Sequence, residues 1–265
     1  MTHPKKPAPA TAPECATCLK PESLCVCQAI QPQKTRLHVL ILQHPQEPDK
    51  DLGSARLAHL ALPNSTLKIG LSWPNISKAL GRETTPSRWA VLYLGSGVQK
   101  RADSVPSAAR KPGSVTFVDK KGVPLEAPPA LRDLDGLIVL DGTWSQAKTL
   151  WWRNAWLLKA KRVILTPKNK SLYKELRREP RGECLSTIES VAECLDALNE
   201  SPSVGEELRG TFARLLDRKR EEIRAKRVAR PGHAGPGGQR APEAKPQLAD
   251  QDKRDKPKSD SDPTE

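Results

Sequence analysis

The sequence predicts an α/β fold with a largely parallel sheet covered by helices, and two observations carry that prediction. Five short apolar runs have strand length: Leu37 to Leu42, Ala90 to Leu94, Val115 to Val118, Leu137 to Leu140 and Val163 to Leu165. Helical patterns alternate with them at Ser54 to Leu62, Ser145 to Leu158 and Thr187 to Leu198, and a charged one runs from Gly205 to about Ala229. Strands that are apolar on both faces belong to a parallel sheet buried between helix layers. In such folds ligands gather at the carboxyl ends of the strands.

The ends of the chain read differently. Residues 1–13 are rich in Pro and Ala and lack periodicity, which predicts a disordered lead-in. Residues 230–265 carry almost no large apolar side chains, so burial cannot offset their ordering entropy and a disordered tail is expected. No run of about 18 apolar residues is present, and the amino-terminal stretch lacks a signal-type apolar core; the expectation is a soluble, cytoplasmic protein without a membrane span.

Residues 14–30 form a separate small unit. Cys15, Cys18, Cys25 and Cys27 make a CxxC followed by a CxC, four thiolates on two tight turns. That set suits a tetrahedral structural zinc, which has no angular preference of its own. Two disulfides would use the same residues, but nothing marks the chain as exported. With all four positions taken by protein, no metal chemistry is expected. Cys184 and Cys194 fall in or beside a helical apolar pattern and read as core thiols.

Charge points to a polyanionic partner. Lys and Arg number 44 against 31 Asp and Glu, a formal net charge of +13. The excess is clustered. From Arg153 to Arg181 there are ten basic residues against Glu175 and Glu179, and from Arg218 to Arg230 seven against Glu221 and Glu222. The first cluster is the stronger candidate for phosphate contacts, because it flanks the motifs described next; the second also reads as a solvated helix face.

The strand Leu137 to Leu140 runs directly into Asp141-Gly142-Thr143-Trp144. Gly142 permits close backbone approach, and the helix that follows offers free N–H donors. Thr143 and Ser145 compete for the helix cap. Trp144, Trp151, Trp152 and Trp156 could all be core. A carboxylate ending a buried strand needs donors or a task, so Asp141 is the residue that demands explanation.

Three further elements accompany it in order. Gln43-His44-Pro45-Gln46-Glu47 follows the first strand, and Ser171-Leu172-Tyr173 with Arg177, Arg178 and Arg181 follows the last; Leu185-Ser186-Thr187-Ile188-Glu189 precedes a helix. Together with the cysteine knuckle, this set resembles the DTW-domain family, the tRNA-uridine aminocarboxypropyltransferases, over about residues 15 to 200. The chain departs from the family pattern at Gly95-Ser96-Gly97 and around Arg56, where Arg56 itself is retained.

The resemblance implies a SPOUT-like knotted catalytic domain over 31–229, a tRNA partner and S-adenosylmethionine as donor. Dimers are compatible with it. It implies donor binding by Leu140, Asp141, Gly142, Thr143, Trp144, Leu185, Ser186 and Thr187, and catalysis among Asp141, Thr143, Trp144 and Glu189. Arg56, Arg177, Arg178 and Arg181 are the candidate RNA contacts. Asp141 either takes the proton of the uracil imide or orients the donor's amino group or ribose. Ser186 and Thr187 would alternatively cap the helix, with Glu189 a first-turn acid, and His44 would alternatively be a loop residue. Two other readings share the same features: an RNA methyltransferase using the same donor, and a non-catalytic zinc-bearing RNA-binding module.

Overall fold

The computed structural model describes residues 13–48, 50–92, 111–176 and 185–228. Six strands make one sheet: β1 (His38–Gln43), β2 (Ser65–Ile69), β3 (Trp89–Leu92), β4 (Ser114–Val118), β5 (Gly136–Asp141) and β6 (Lys161–Thr166). Their order across the sheet is β2-β1-β5-β3-β6-β4. Every pairing is parallel except that of β4 with β6. Among the described residues five α-helices accompany them: α1 (Ala55–Ala61), α2 (Ile76–Leu80), α3 (Trp144–Arg153), α4 (Thr187–Ala197) and α5 (Pro202–Val228).

The near-continuous apolar strands are explained by burial on both sides. Alternate residues point to opposite faces. Val39, Ile41, Ala90, Leu137, Val139 and Val163 join one core with side chains of α1, α4 and α5. Leu40, Leu42, Trp89, Val91, Ile138 and Leu140 join a second core with Ile76, Ala147, Leu150 and Trp156. The cysteine unit is not a detached appendage, since Cys18, Leu24 and Val26 lie in the first of these cores.

Four elements differ from the sequence reading, each for a local reason; α2, at five residues, is too short to leave a helical period. The Ser145 to Leu158 pattern breaks at Asn154, which is buried and held from three sides. Its amide nitrogen donates to the carbonyls of Leu150 (2.7 Å) and Leu71 (3.0 Å), and its oxygen accepts from the Trp73 N–H (2.9 Å). These bonds divert the chain into a 3₁₀ segment, Ala155–Lys159. The strand β2 lies at the sheet edge, and its half-buried residues with Lys68 give no clean alternation. The last helix starts at Pro202, where a missing N–H is harmless in the first turn. Residues 93–110, 177–184 and both termini fall outside the described residues, and with them Gly95-Ser96-Gly97, Cys184, Arg177, Arg178, Arg181, the lead-in and the tail.

One glycine is required by packing. Gly136 opens β5 between β1 and β3, and a Cβ there would lie 2.2 Å from the His38 carbonyl oxygen and 2.4 Å from the Trp89 ring. Backbone and a fully buried indole cannot both retreat. Gly136→Ala is expected to destabilise by about 3 kcal/mol, the upper part of the overpacking range, in a denaturant titration. An unchanged midpoint would mean that the strand ends can splay.

Candidate active site

The carboxyl ends of β1 and β5 lie side by side, with Gln43 in register with Asp141. This is the crevice at which α/β sheets bind ligands. Asp141 is buried, yet its carboxylate has two donors: the Gln43 amide nitrogen at 2.8 Å and the Thr187 hydroxyl. Its backbone carbonyl accepts from His44 N–H at 3.0 Å. Burial pushes the Asp141 carboxyl above the usual carboxylate range; the bonds from Thr187 and Gln43 oppose that shift without cancelling it. The site therefore holds a carboxylate with heightened affinity for a proton.

Motifs separated by about a hundred residues meet here. The β1 loop touches the Asp141 motif a second time through Gln146, which donates to the Gln46 side chain at 3.1 Å. The α4 start reaches the loop before α1, where the Ile188 N–H donates to the Ser54 hydroxyl at 3.2 Å. Tyr173 donates its hydroxyl to the Leu52 carbonyl at 3.1 Å and sets its ring edge-on to Phe212.

Gly142 and Thr143 shape the turn into α3. Gly142 has φ +157°, and a Cβ would come within 2.8 Å of the Gln146 Cβ, so the backbone stays bare beside Asp141. Thr143, not Ser145, caps α3: its hydroxyl accepts from Gln146 N–H while the Gln146 side chain accepts from Thr143 N–H at 2.6 Å. Trp144 starts the helix half-buried, and Leu140 is buried in the second core. Arg56, half-exposed in the first turn of α1, follows Ser54 closely.

The second motif is built by a saturated carboxylate. Ser186 caps α4 in a capping box with Glu189. The buried Glu189 accepts from Ser186 N–H (2.9 Å), the Ser186 hydroxyl (2.6 Å), the Ser171 hydroxyl (2.9 Å) and Leu172 N–H (2.7 Å). It holds the Ser171–Tyr173 segment against Leu185-Ser186-Thr187 and so aims the Thr187 hydroxyl at Asp141. Replacing it leaves buried donors unpaired, at about 1–3 kcal/mol each. Glu189→Gln is expected to lower the melting temperature and to raise hydrogen exchange at Leu172; unchanged exchange at that amide would contradict the holding role.

Sequence reasoning passed over two site residues. Gln43 belongs to the motif after the first strand, but its bond to Asp141 follows from the β1–β5 pairing, which no local pattern reveals. Its amide oxygen is buried and accepts no hydrogen bond from the described residues. Lys20, inside the knuckle, is 4% exposed and donates to the carbonyls of Lys50 (3.2 Å) and Asp51 (2.8 Å). Burial pulls it down to about 8, although the nearby Cys18 and the carboxylates of Asp51 and Asp141 favour its charge. His44 is a turn residue whose Nδ1 accepts from Gln46 N–H at 3.3 Å. Glu47 is buried and paired with Lys50 at 2.6 Å. A groove lined by Arg36, His38, Asn64, Arg82 and Asp135 lies at the opposite, amino-terminal ends of β1 and β5 and contains none of the motif residues.

The knuckle and the crevice each fit a guest. The four cysteine sulfurs lie within 4.8 Å of one another, with Cys15 and Cys27 3.9 Å apart. Tetrahedral zinc with Zn–S of about 2.3 Å requires sulfurs about 3.8 Å apart, and a small inward movement closes the set. In the crevice, a buried carboxylate, an amide oxygen without a donor and a bare glycine backbone suit a ligand that carries hydrogen-bond donors, such as an ammonium group or ribose hydroxyls.

A profile of the DTW domain matches residues 12–220, and the chain belongs to the DTW domain family. Among curated relatives, tRNA-uridine aminocarboxypropyltransferase 2 of Macaca fascicularis is 27% identical over 206 residues, covering 74% of this chain and 60% of that one. The protein of the same name in Drosophila melanogaster is 28% identical over 207 residues, covering 77% and 72%. The tRNA-uridine aminocarboxypropyltransferase A of Arabidopsis thaliana is 30% identical over 224 residues, covering 76% and 77%. The chain spans about 60% of the length of the macaque and mouse relatives that it matches. No solved structure matches it. No helix among the described residues is long and apolar enough to cross a membrane.

Proposed function

We propose that the protein is a tRNA-uridine aminocarboxypropyltransferase. It would move the 3-amino-3-carboxypropyl group of S-adenosylmethionine to the ring imide nitrogen of a tRNA uridine. The observation that carries this reading is the Gln43–Asp141–Thr187 cluster, in which a buried carboxylate with raised proton affinity sits at a strand-end crevice. The names of the relatives support the substrate and the transferred group.

When bound, S-adenosylmethionine supplies a sulfonium-activated carbon, so that transfer forms a C–N bond, breaks a C–S bond and releases methylthioadenosine. The uracil imide is a weak nucleophile while it keeps its proton. Asp141 takes that proton; Gln43 and Thr187 fix the carboxylate in place and limit the rise in its pKa. Gln43, through its unpaired oxygen, and the bare backbone at Gly142 hold the donor, together with Leu185, Ser186 and the Leu140 to Trp144 turn. Glu189 is a positioning residue, since both of its oxygens accept hydrogen bonds from the protein. Thr143 acts through its helix cap, and Trp144 lines the entrance to α3. Arg56 and the basic segment carrying Arg177, Arg178 and Arg181 draw in the RNA phosphates. The zinc is structural and takes no part in transfer.

The finer chain path follows the same reading. A SPOUT-like knot in the carboxyl-terminal part of 31–229 is proposed from the family resemblance, and the mostly parallel sheet is compatible with it. The test of the reaction is the identity of the small-molecule product released with unmodified tRNA. Methylthioadenosine is expected. S-adenosylhomocysteine would mean that a methyl group is transferred, and the proposed reaction would be wrong.

A further inference from the structure

Trp152 is 77% exposed. Tryptophan is a large apolar ring that normally hides most of its surface, so full display needs a reason. The ring lies on α3, the helix that begins at the Asp141 motif. Ala147 and Leu150 bury the core face of that helix, while Trp144, Lys148 and Trp152 recur at every fourth position along its flank. Helical side chains lean toward the amino terminus, so Trp152 tilts along this stripe toward the crevice. Trp151 next to it is already used, with the Arg162 guanidinium stacked 5.2 Å from its ring centre. Among the described residues, Trp152 has no such partner.

The charge around the ring says what covers it. From Gly142 to Lys174 there is no Asp or Glu, and there are eight Lys and Arg residues. Lys148 precedes Trp152 by one helical turn, and Arg153 and Lys159 follow it; all three are exposed and without ion-pair partners among the described residues. A protein partner would need an acidic face to match this surface, and a second copy of the chain would bring like charge against like. A nucleic acid brings phosphates for the cations and flat bases for the indole, the combination by which single-stranded segments are held.

We infer that Trp152 is a stacking platform for an unpaired base of the substrate RNA, with Lys148 taking an adjacent phosphate. This rests on the proposed tRNA reading and adds a binding site to it. Eight residues of helix place Trp152 about 12 Å along the axis from Trp144. The base that it meets is therefore a neighbour of the target uridine and not the uridine at Asp141. The platform would select substrates whose target lies in an unstacked loop.

The test is fluorescence anisotropy with labelled, unmodified tRNA over a salt series, together with product formation by the wild-type protein. Trp152→Ala is expected to weaken RNA binding between about 5-fold and about 150-fold, the usual range for loss of one stacked base. The slope of log affinity against log salt should not move, because no ionic contact is lost. Trp152→Phe should recover most of the affinity. Lys148→Gln should instead flatten the slope by about 0.7 to 0.9. The exposed ring makes an unchanged melting temperature the expected control. Wild-type product formation with Trp152→Ala binding within about twofold of wild type would overturn the platform and leave the reaction standing. Sedimentation that falls from dimer to monomer in Trp152→Ala, with RNA affinity unchanged, would overturn it in favour of self-association. Trp152-dependent RNA binding without product would keep the platform and remove the reaction.

Discussion

In Asp141→Asn, formation of the modified nucleoside is expected to fall by about 10²–10⁴-fold while the fold survives. The substitution is nearly isosteric, and the site can accommodate it. Gln43 now donates its amide nitrogen to Asp141 and leaves its own oxygen unpaired. A flip of the Gln43 amide would let its oxygen accept from the carboxamide introduced at position 141, and Thr187 keeps its acceptor. Stability should not suffer. The sign follows from burial, which raises the Asp141 pKa in the folded state. Between the ordinary carboxylate value and the raised one, the native state holds more protons than the unfolded chain. That carboxylate therefore costs stability as pH rises through this window, and the cost persists at neutral pH. Removing its charge relieves the cost, so the melting temperature of Asp141→Asn at neutral pH should equal or exceed that of the wild type. In the wild type, kcat/KM should fall on acidification around a pH above the range of an ordinary aspartate. A variant that loses activity through unfolding would show the opposite melting behaviour.

Stripping the metal from the cysteine knuckle should produce the second large effect. One zinc per chain is expected by elemental analysis, and its removal by a chelator should lower stability by several kcal/mol, on the order expected of structural zinc in a larger fold. The reason is where the knuckle sits. Cys18, Leu24 and Val26 belong to the same core as β1 and the helices α1, α4 and α5. Lys20 reaches from the knuckle to the carbonyls of Lys50 and Asp51. That loop is also tied by Lys219 to Asp51 and by Tyr173 to Leu52, and it leads into Ser54, which receives the α4 amino terminus. Loss of the metal should thus loosen residues 50 to 54 as well as the knuckle, and hydrogen exchange can follow both. Lys20→Met should reproduce the loop effect alone, at about 1–3 kcal/mol. Protection of residues 50 to 54 that survived chelation would show the knuckle to be an independent module.

How much of this was legible beforehand depended on whether the signal was local. The runs at Leu37, Val115, Leu137 and Val163 became β1, β4, β5 and β6 because burial on both faces leaves a continuous apolar record in the chain. The cysteine set could be read because metal-ligand spacing is itself a local pattern. The strand β2 left no such record, since an edge strand is half solvated, and the break at Asn154 is set by Leu71 and Trp73 about eighty residues away. The site divides in the same way. Asp141, Ser186, Thr187 and Glu189 stand out within their own motifs, and Glu189 has its carboxylate committed to the cap and the Ser171 segment. Gln43 and Lys20 did not stand out, because their partners are supplied by strand pairing and by the packing of the knuckle. The Arg177 to Arg181 segment lies outside the described residues, and its part in RNA binding stays with the charge pattern that suggested it.

The most direct measurement is mass spectrometry of nucleosides from unmodified tRNA incubated with S-adenosylmethionine and either the wild-type protein or Asp141→Asn. A uridine carrying a 3-amino-3-carboxypropyl group on its ring nitrogen, formed by the wild type and lost in a variant that still melts as a folded protein, is the predicted result. A wild-type product in which uridine carries only a methyl group, or full activity in Asp141→Asn, would contradict the account at its centre.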